Sequence, residues 1–416
     1  MRENWAPESR RRTYDGNVRR STTMDADASA DASAYDALVR ENRELIGRTV
    51  ARLEKPPTAL EFARDWLGRN VPFVCAGAIE TWNARDGRWD TREGLERALG
   101  GADAFVGGVN RTPNGRADAV YYRRDARRRL GGHADDDDGS SGVMIGGGDD
   151  HSDNDVELVD ADRFDASVPL FLEPESSGET RVGEFLDSLE RRPASERRFG
   201  VNKVGNGASV VAYLSEQNDN LRTRPALRGM FEDIGEVAFA AETFAREPDA
   251  VNLWIGDEAS TTSWHKDYYE NIYSVIRGEK VFNLRPPCEV GLMRYVDCVP
   301  GVFEWDADAV RWRVKPRLDA ARVAWSADDI DPKTLRPMFG HSNAEDDGND
   351  TGKSLPPSID VVVRAGETLY LPAMWLHRVS QRGLTVAVNS WYDMDFGDRF
   401  AYAEYARRTA RARAPS

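Results

Sequence analysis

Residues 251–284 read VNLWIGDEASTTSWHKDYYENIYSVIRGEKVFNL, and this stretch decides the fold. Three short runs in it, Val251–Ile255, Ile272–Ile276 and Lys280–Leu284, are rich in β-branched and aromatic residues, a composition that predicts strands. Glycines stand between the runs, where chain reversals are expected. The stretch therefore indicates a β-rich domain made of short strands.

Three further runs downstream, Val361–Val363, Thr368–Leu371 and Thr385–Val388, continue the same pattern with glycine turns between them. Short strands punctuated by glycine favour a sandwich or barrel over a doubly wound sheet. The predicted fold is mainly β with flanking helices, in the form of a double-stranded β-helix, the jelly roll of the cupin kind.

Composition divides the chain around this barrel. Two acidic stretches, 131–155 and 342–353, are too polar to bury and are predicted to be disordered insertions. The remaining prediction is a disordered tail over 1–34, helical and β elements that pack on the barrel over 35–200, the barrel over 201–397, and a closing helix over 398–416.

The charge balance bears on partners. The chain has 416 residues and a net charge of -15, which argues against a protein that grips nucleic acid through its phosphates. A basic partner such as a Lys/Arg-rich peptide fits this charge, and a merely solubilising surface is the alternative.

Cysteine use and hydropathy bear on location. Three cysteines without a C-x-x-C pair fit a reducing compartment, and no apolar run reaches membrane-spanning length. These features predict a soluble protein of the cytoplasm or nucleus. The arginine-rich first 22 residues also hold acids, which a transit peptide usually lacks, so a transit peptide is not predicted but is left open.

Two short motifs carry metal-binding chemistry. His265 and Asp267 stand two residues apart, so on a strand their side chains share one face, and His377 supplies a third ligand from a distant strand. Two histidines and one carboxylate leave three positions open on an octahedral iron, which suits a bidentate cosubstrate and O₂. An isolated H-x-D triplet is common by chance, and half-buried structural histidines are the alternative. Only five histidines exist in the chain, and two occupy the required places.

Lys280 opens a predicted strand after Gly278-Glu279. A 2-oxoglutarate site needs a cation at its far end, because an unpaired buried carboxylate is costly. Lys280 can supply that charge, and the hydroxyl groups of Thr262 and Tyr273 can share the carboxylate. A lysine whose stem lies along the surface at a strand start is the alternative.

Six segments resemble the JmjC oxygenases, and in particular the small JmjC-only hydroxylases: 252–256, 262–271, 278–280, 286–287, 366–377 and 388–392. The resemblance extends from about Ala59 to Ala406, interrupted by the acidic insertions. It implies a jelly-roll enzyme that uses Fe(II), O₂ and 2-oxoglutarate. Where many members have two consecutive histidines this chain has His377-Arg378, and the second residue should point away from the metal on a strand.

The resemblance also implies roles for individual residues. The iron ligands would be His265, Asp267 and His377. The distal carboxylate of 2-oxoglutarate would be held by Thr262, Lys280 and Tyr213, and the asparagines near its proximal end would be Asn271 and Asn389.

The implied substrate is a lysine side chain of a developmentally regulated GTP-binding protein. A lysine ammonium near iron must be held by carboxylate or hydroxyl groups, since an unpaired buried charge is not tolerated. Asp118, Glu270 and Asp393 lie in or beside the matched motifs and are candidates for that contact, with surface solvation as the alternative.

The sequence leaves other functions open. A JmjC histone demethylase would use the same site. A cupin that binds metal without 2-oxoglutarate would not need Lys280 and Thr262, and a silent binding module would not need the three metal ligands. The closing helix carries an apolar edge with Tyr402 and Tyr405 that can pack on the barrel or form a homodimer.

Overall fold

The computed structural model describes most of the chain between residues 24 and 411. The predicted tail up to residue 23 and most of both acidic insertions lie outside the described residues. The described ranges are 24–85, 87–126, 142–145, 156–176, 178–190, 203–204, 208–332, 335, 337–338 and 356–411.

Helices flank a β structure, and none in the described ranges is both long and apolar enough to cross a membrane. A π-helical turn, Phe62–Leu67, continues α2, and short 3₁₀ helices occupy Asn83–Arg85, Ala161–Arg163, Pro225–Leu227 and Pro287–Gly291. The α-helices are α1 Met24–Ile46, α2 Ala59–Glu61, α3 Arg92–Ala98, α4 Val182–Glu190, α5 Asn220–Thr223, α6 Arg228–Phe231, α7 Ala238–Phe244 and α8 Asp398–Arg411.

The strands are numbered in chain order. Those before residue 215 are β1 Ala51–Leu53, β2 Phe73–Ala76, β3 Phe105–Gly107, β4 Val109–Thr112, β5 Arg116–Ala117, β6 Ala119–Tyr121, β7 Glu157–Leu158, β8 Leu170–Glu173, β9 Glu175–Ser176, β10 Glu179–Arg181, β11 Lys203–Val204, β12 Ala208–Ser209 and β13 Val211–Leu214. Those after it are β14 Ala250–Gly256, β15 Thr261–Thr262, β16 Tyr269–Arg285, β17 Tyr295–Asp306, β18 Arg311–Pro316, β19 Val323–Ser326, β20 Ile359–Arg364, β21 Glu367–Leu371 and β22 Leu376–Asp393.

A ten-stranded sheet forms the centre, in the order β1-β2-β21-β16-β22-β14-β13-β4-β9, with β20 added to β16. Its long antiparallel pair, β16 and β22, runs from Tyr269 opposite Asp393 to Arg285 opposite Leu376. The two predicted strands within 272–284 are therefore one strand. The mainly β, jelly-roll architecture with flanking helices predicted from the sequence is confirmed.

Gly278 lets β16 bend between its two halves. The register with β22 shifts between Val275 and Glu279, and Gly278 has a φ of +73°. A Cβ there would lie 2.5 Å from Thr385 Oγ1, so a side chain would meet the paired strand at the bend. One half of β16 pairs with β21 and the other with β20.

A second sheet of six strands, in the order β6-β8-β17-β18-β7 with β19 on β17, was not expected from the sequence. Its strand β18 alternates arginine or lysine with Trp312 and Val314, so its average hydrophobicity is low although these two side chains are buried. Val143 packs into the core of this sheet. The prediction that 131–155 is too polar to bury is therefore wrong for its apolar segment 142–145, because Val143, Met144 and Ile145 are buried.

Both terminal helices of the described chain contact the 3₁₀ helix Pro287–Gly291. α1 begins at Met24, inside the predicted tail, and alanine has a high intrinsic helix propensity. In α8, Ala403 and Ala406 are buried in two clusters with Met374 and Trp264, whereas Tyr405 stays exposed. α8 thus contacts the barrel, and a homodimer through its exposed edge stays a prediction.

Candidate metal centre

His265, Asp267 and His377 come together at one end of β22. His265 lies between β15 and β16 in an isolated bridge with His377, whose two backbone hydrogen bonds measure 3.0 and 2.8 Å. Met374 donates its backbone N–H to the Asp267 carbonyl at 2.9 Å, which holds the next turn of this segment. His265 and Asp267 are thus positioned by a bridged loop and not by the continuous strand that their spacing suggested.

The three ligand side chains converge on one point. Their nearest donor atoms all lie within 4.8 Å of one another, and His377 Nε2 is 3.5 Å from Asp267 Oδ2. Nδ1 of His265 contacts the Ser263 carbonyl at 2.8 Å, and Nδ1 of His377 contacts the Trp375 carbonyl at 2.9 Å. A carbonyl can only accept, so Nδ1 carries the proton in both rings and Nε2 keeps its lone pair for a metal.

Burial, followed by the charge of neighbouring His265, lowers the pKa of His377 to about 4. The imidazole is therefore neutral near neutral pH, the form that binds metal. Two imidazoles and one carboxylate on one side, with other positions left for exchangeable ligands, are the donor set of a non-haem Fe(II) centre. The residues present fit an iron ion.

Lys280 lies in buried polar surroundings with no carboxylate partner among the described residues. Its side chain is 1% exposed, and Nζ donates to Tyr213 Oη at 2.9 Å and to Gln381 Oε1. Within the described ranges no carboxylate forms an ion pair with it, and burial lowers its pKa to about 7. A lysine kept in such surroundings fits an incoming anion, such as the distal carboxylate of 2-oxoglutarate.

His377 and Lys280 share one face of the β16–β22 pair. Leu284 is opposite His377 and Lys280 is opposite Gln381, so these residues project to the same side. His377 and Gln381 are four residues apart, which separates their Cα atoms by roughly 13 Å along the strand. The face therefore has a metal-binding end and a cationic end at a separation suited to a small extended dicarboxylate.

The hydroxyl residues predicted for the cosubstrate lie along this face. The Val379 backbone N–H donates to Thr262 Oγ1 at 3.0 Å, which places Thr262 midway between His377 and Gln381. Tyr273 is buried with its ring edge against Phe282, at a centroid distance of 5.1 Å.

The predicted asparagines form a relay across three strands. Trp254 Nε1 donates to Asn389 Oδ1 at 2.8 Å, and Asn389 Nδ2 donates to Asn271 Oδ1 at 3.1 Å. Both amide orientations are fixed by these donors. Because Asn271 accepts through Oδ1, its Nδ2 group is oriented to donate elsewhere. Asn271 follows the predicted ligand Asp267 by four residues in the sequence.

The three substrate candidates lie in different surroundings. Glu270 is next to Asn271 on β16 and so faces the opposite side of the sheet, where Tyr370 Oη and the Ala373 N–H donate to its carboxylate at 2.7 and 3.1 Å. Strand alternation could have shown this. Asp393 is exposed at the end of β22.

Asp118 lies beside the metal centre. Ser263 Oγ donates to its backbone carbonyl, and its φ of 51° is unusual for a residue with a side chain. Burial and nearby Glu173 raise the pKa of its carboxyl to about 6, and His265 acts in the opposite direction. In the described part of the chain its carboxylate makes no hydrogen bond and no ion pair.

Sequence reasoning missed two contributors. Gln381 follows His377 by four residues on a strand, so the period of two could have identified it. The indole of Trp325 donates to Ser263 Oγ at 2.8 Å and supports the segment whose carbonyl orients His265, a contact that no motif encodes. Arg378 contacts the Met338 carbonyl at 3.4 Å, on the face of β22 opposite to that of His377.

Comparison with known proteins identifies relatives over nearly the whole chain. The profile of the family described as Cupin-like domain matches residues 58–398. "Lysine-specific demethylase JMJ32" of Arabidopsis thaliana is 31% identical over 388 residues, covering 90% of each chain. "Bifunctional peptidase and (3S)-lysyl hydroxylase JMJD7" of Homo sapiens is 29% identical over 86% of this chain and 89% of that protein. "JmjC domain-containing protein E" of Dictyostelium discoideum is 27% identical over 91% of this chain and 93% of that protein.

Proposed function

The chain belongs to the JmjC family of cupin-like oxygenases, and we propose that it is an Fe(II)- and 2-oxoglutarate-dependent protein lysyl hydroxylase. One observation carries the cosubstrate part of this proposal. The convergent donors of His265, Asp267 and His377 lie at one end of the β16–β22 pair, and the buried Lys280, which has no carboxylate partner among the described residues, lies farther along the same face.

The proposed reaction consumes O₂, 2-oxoglutarate and a substrate C–H bond and yields succinate, CO₂ and a C–OH bond. Iron and 2-oxoglutarate, when bound, supply the oxidising chemistry. His265, Asp267 and His377 would hold the metal. Lys280 and Tyr213 would bind the distal carboxylate, and Asn271 would donate near the proximal end of the cosubstrate.

Asp118 supports a cationic substrate side chain. Its carboxylate lies near His265 and has no partner within the described ranges, so it can accept hydrogen bonds from a lysine ammonium beside the iron site. We propose Asp118 as the substrate-binding carboxylate, with Asp393 as an outer charge at the end of β22. Glu270 is not included, because its carboxylate is bound on the other side of the sheet.

A lysine of a developmentally regulated GTP-binding protein is the proposed substrate. The name of the human relative includes a lysyl hydroxylase activity, and the net charge of -15 favours a basic partner segment. The protein partner rests on the family resemblance and on this charge.

Demethylation of a methylated lysine is the second candidate, because the plant relative carries the name of a lysine-specific demethylase and is 31% identical. The same site would then oxidise an N-methyl carbon. A peptidase activity is not proposed: burial raises the pKa of Cys75, Cys288 and Cys298 to about 12, which disfavours the nucleophilic thiolate.

Mass spectrometry of lysine peptides tests the choice. Unmodified and methylated versions of one basic peptide, drawn from a GTP-binding protein, are incubated with the protein, Fe(II), 2-oxoglutarate and O₂. The proposal predicts a gain of one oxygen on the unmodified lysine and an equal amount of succinate. Loss of methyl groups at a comparable rate, or oxygen on asparagine, would contradict lysyl hydroxylation, and Asp118→Asn should reduce turnover while leaving 2-oxoglutarate binding unchanged.

A further inference from the structure

The side-chain amide of Gln381 is buried, and only its oxygen has a hydrogen-bond partner among the described residues. The residue is 4% exposed, Oε1 accepts from Lys280 Nζ, and no partner for Nε2 is found among the described residues. An ammonium can only donate, so the Lys280 contact fixes which end of the amide carries oxygen. The Nε2 group is thus a hydrogen-bond donor without an acceptor, in surroundings where such a donor is costly.

Three groups, Lys280 among them, keep N–H or O–H bonds that have no acceptor among the described residues. The lysine has three N–H bonds, of which Tyr213 Oη and Gln381 Oε1 each accept one. Tyr213 accepts through its oxygen, so its own O–H stays free to donate. One lysine N–H, the tyrosine O–H and the two N–H bonds of Gln381 Nε2 therefore match the roughly four acceptor sites of a single carboxylate.

Gly256 makes room for this arrangement. A Cβ at this position would lie 2.5 Å from Tyr213 Cδ2 and 2.6 Å from Gln381 Nε2. The backbone of β14 thus approaches both side chains more closely than any other residue type would allow. Tyr213, Lys280 and Gln381 come from β13, β16 and β22, so three strands close around one small volume.

We infer that Gln381 is a cosubstrate-binding residue: its Nε2 group donates to the distal carboxylate of 2-oxoglutarate and selects a dicarboxylate over a 2-oxo acid without that group. The inference rests on the proposed use of 2-oxoglutarate. Gln381 adds to Lys280 and Tyr213 a neutral partner that orients the ammonium and supplies a further donor group.

Binding measurements without turnover test it. Dissociation constants are measured by calorimetry, with Mn(II) in place of iron, for 2-oxoglutarate and for 2-oxopentanoate, which has the same 2-oxo acid head but no distal carboxylate. Gln381→Met keeps the length of the side chain and removes both polar atoms. We expect it to weaken 2-oxoglutarate binding by about tenfold to a hundredfold and to leave 2-oxopentanoate within about twofold.

Gln381→Glu places a carboxylate against Lys280. It should weaken 2-oxoglutarate binding more than Gln381→Met does and remove most of the preference over 2-oxopentanoate, because the lysine charge is already neutralised. Ser380→Ala is the matched control, since its hydroxyl lies on the opposite face of the same strand and has no partner among the described residues. This control should bind both ligands as the wild type does.

The outcomes separate the two proposals. Wild-type protein that binds Mn(II) but not 2-oxoglutarate would overturn the proposed function and this inference together. Normal 2-oxoglutarate binding by Gln381→Met, or equal losses for both ligands, would overturn the inference alone. The Mn(II) affinity of each variant reports whether the fold and the metal end are intact.

Discussion

The two ends of the same face of the β16–β22 pair are built differently. At the metal end, two of the three ligands lie within three residues of sequence, and the Asp267 side chain is 24% exposed. At the Lys280 end, three strands contribute and Lys280 is 1% exposed. The open end can admit a protein side chain and O₂, whereas the closed end excludes water and so strengthens its contacts with a bound carboxylate.

This difference decides what the sequence could predict. His265 and Asp267 stand together in the sequence, and the spacing rule for strands grouped them although the local structure is a bridged loop. Lys280 was predicted from the chemistry of a carboxylate, but its contacts Tyr213 and Gln381 are 67 and 101 residues away. Which residues of distant strands face each other depends on the pairing register, and local sequence patterns do not determine that register.

Local sequence patterns also predicted only part of the fold. Strands with clustered β-branched residues around 251–285 and 359–388 were predictable. In β17 and β18, buried aromatic residues such as Phe303 and Trp312 stand next to charged residues in the sequence, so these strands have no continuous apolar run. The Glu270 side chain projects from the opposite face of β16, and adjacency to a motif in the sequence does not show which face of the strand a side chain takes.

The largest effect should come from the metal end. His265→Ala or Asp267→Ala removes one of three ligands, so we expect loss of stoichiometric Mn(II) binding and of succinate formation to background. Calorimetry with Mn(II) and succinate release measure this, with circular dichroism as the check on folding. Succinate formation at the wild-type rate by either variant would show that these residues are not the ligands.

At the closed end, Lys280→Ala should act on the cosubstrate alone. A carboxylate left without its cation in a buried site costs about 2–5 kcal/mol in binding, which is roughly thirtyfold to several thousandfold. Calorimetry should show this loss for 2-oxoglutarate together with unchanged Mn(II) affinity. Unchanged 2-oxoglutarate affinity would place the cosubstrate elsewhere.

The pH dependence of cosubstrate binding should come from Lys280. Burial lowers its pKa to about 7, and only the ammonium form pairs with a carboxylate, so affinity is full below this pKa and falls about tenfold per unit as the pH rises above it. The facing phenols of Tyr213 and Tyr273 stay neutral, because burial raises their pKa values, and Gln381 carries no charge.

Lys280→Arg is the control for this titration, since a guanidinium keeps its charge. Its 2-oxoglutarate affinity, although lower in absolute terms, should stay flat over the range in which the wild-type affinity falls. An equally steep decline in Lys280→Arg would assign the titration to another group.

A small loss of Mn(II) affinity is expected when the hydrogen bond that supports the metal-binding loop is removed. Trp325→Phe removes the hydrogen bond to Ser263 Oγ while keeping an aromatic ring, and the Ser263 carbonyl still orients His265. We expect a loss of about tenfold or less in Mn(II) affinity, at the low end for residues that support ligands. A loss as large as that of His265→Ala would mean that this contact controls the loop conformation.

The central claim is that one face binds iron at one end and the distal carboxylate of 2-oxoglutarate at the other. Anaerobic titration of the Fe(II)-loaded protein with 2-oxoglutarate tests it most directly, because a 2-oxo acid that chelates iron gives a visible charge-transfer absorption band. We expect a band that saturates at one cosubstrate per chain in the wild type, is absent in His265→Ala, and in Lys280→Ala appears only at far higher 2-oxoglutarate concentration. Absence of the band in the wild type, or identical saturation in Lys280→Ala, would contradict it.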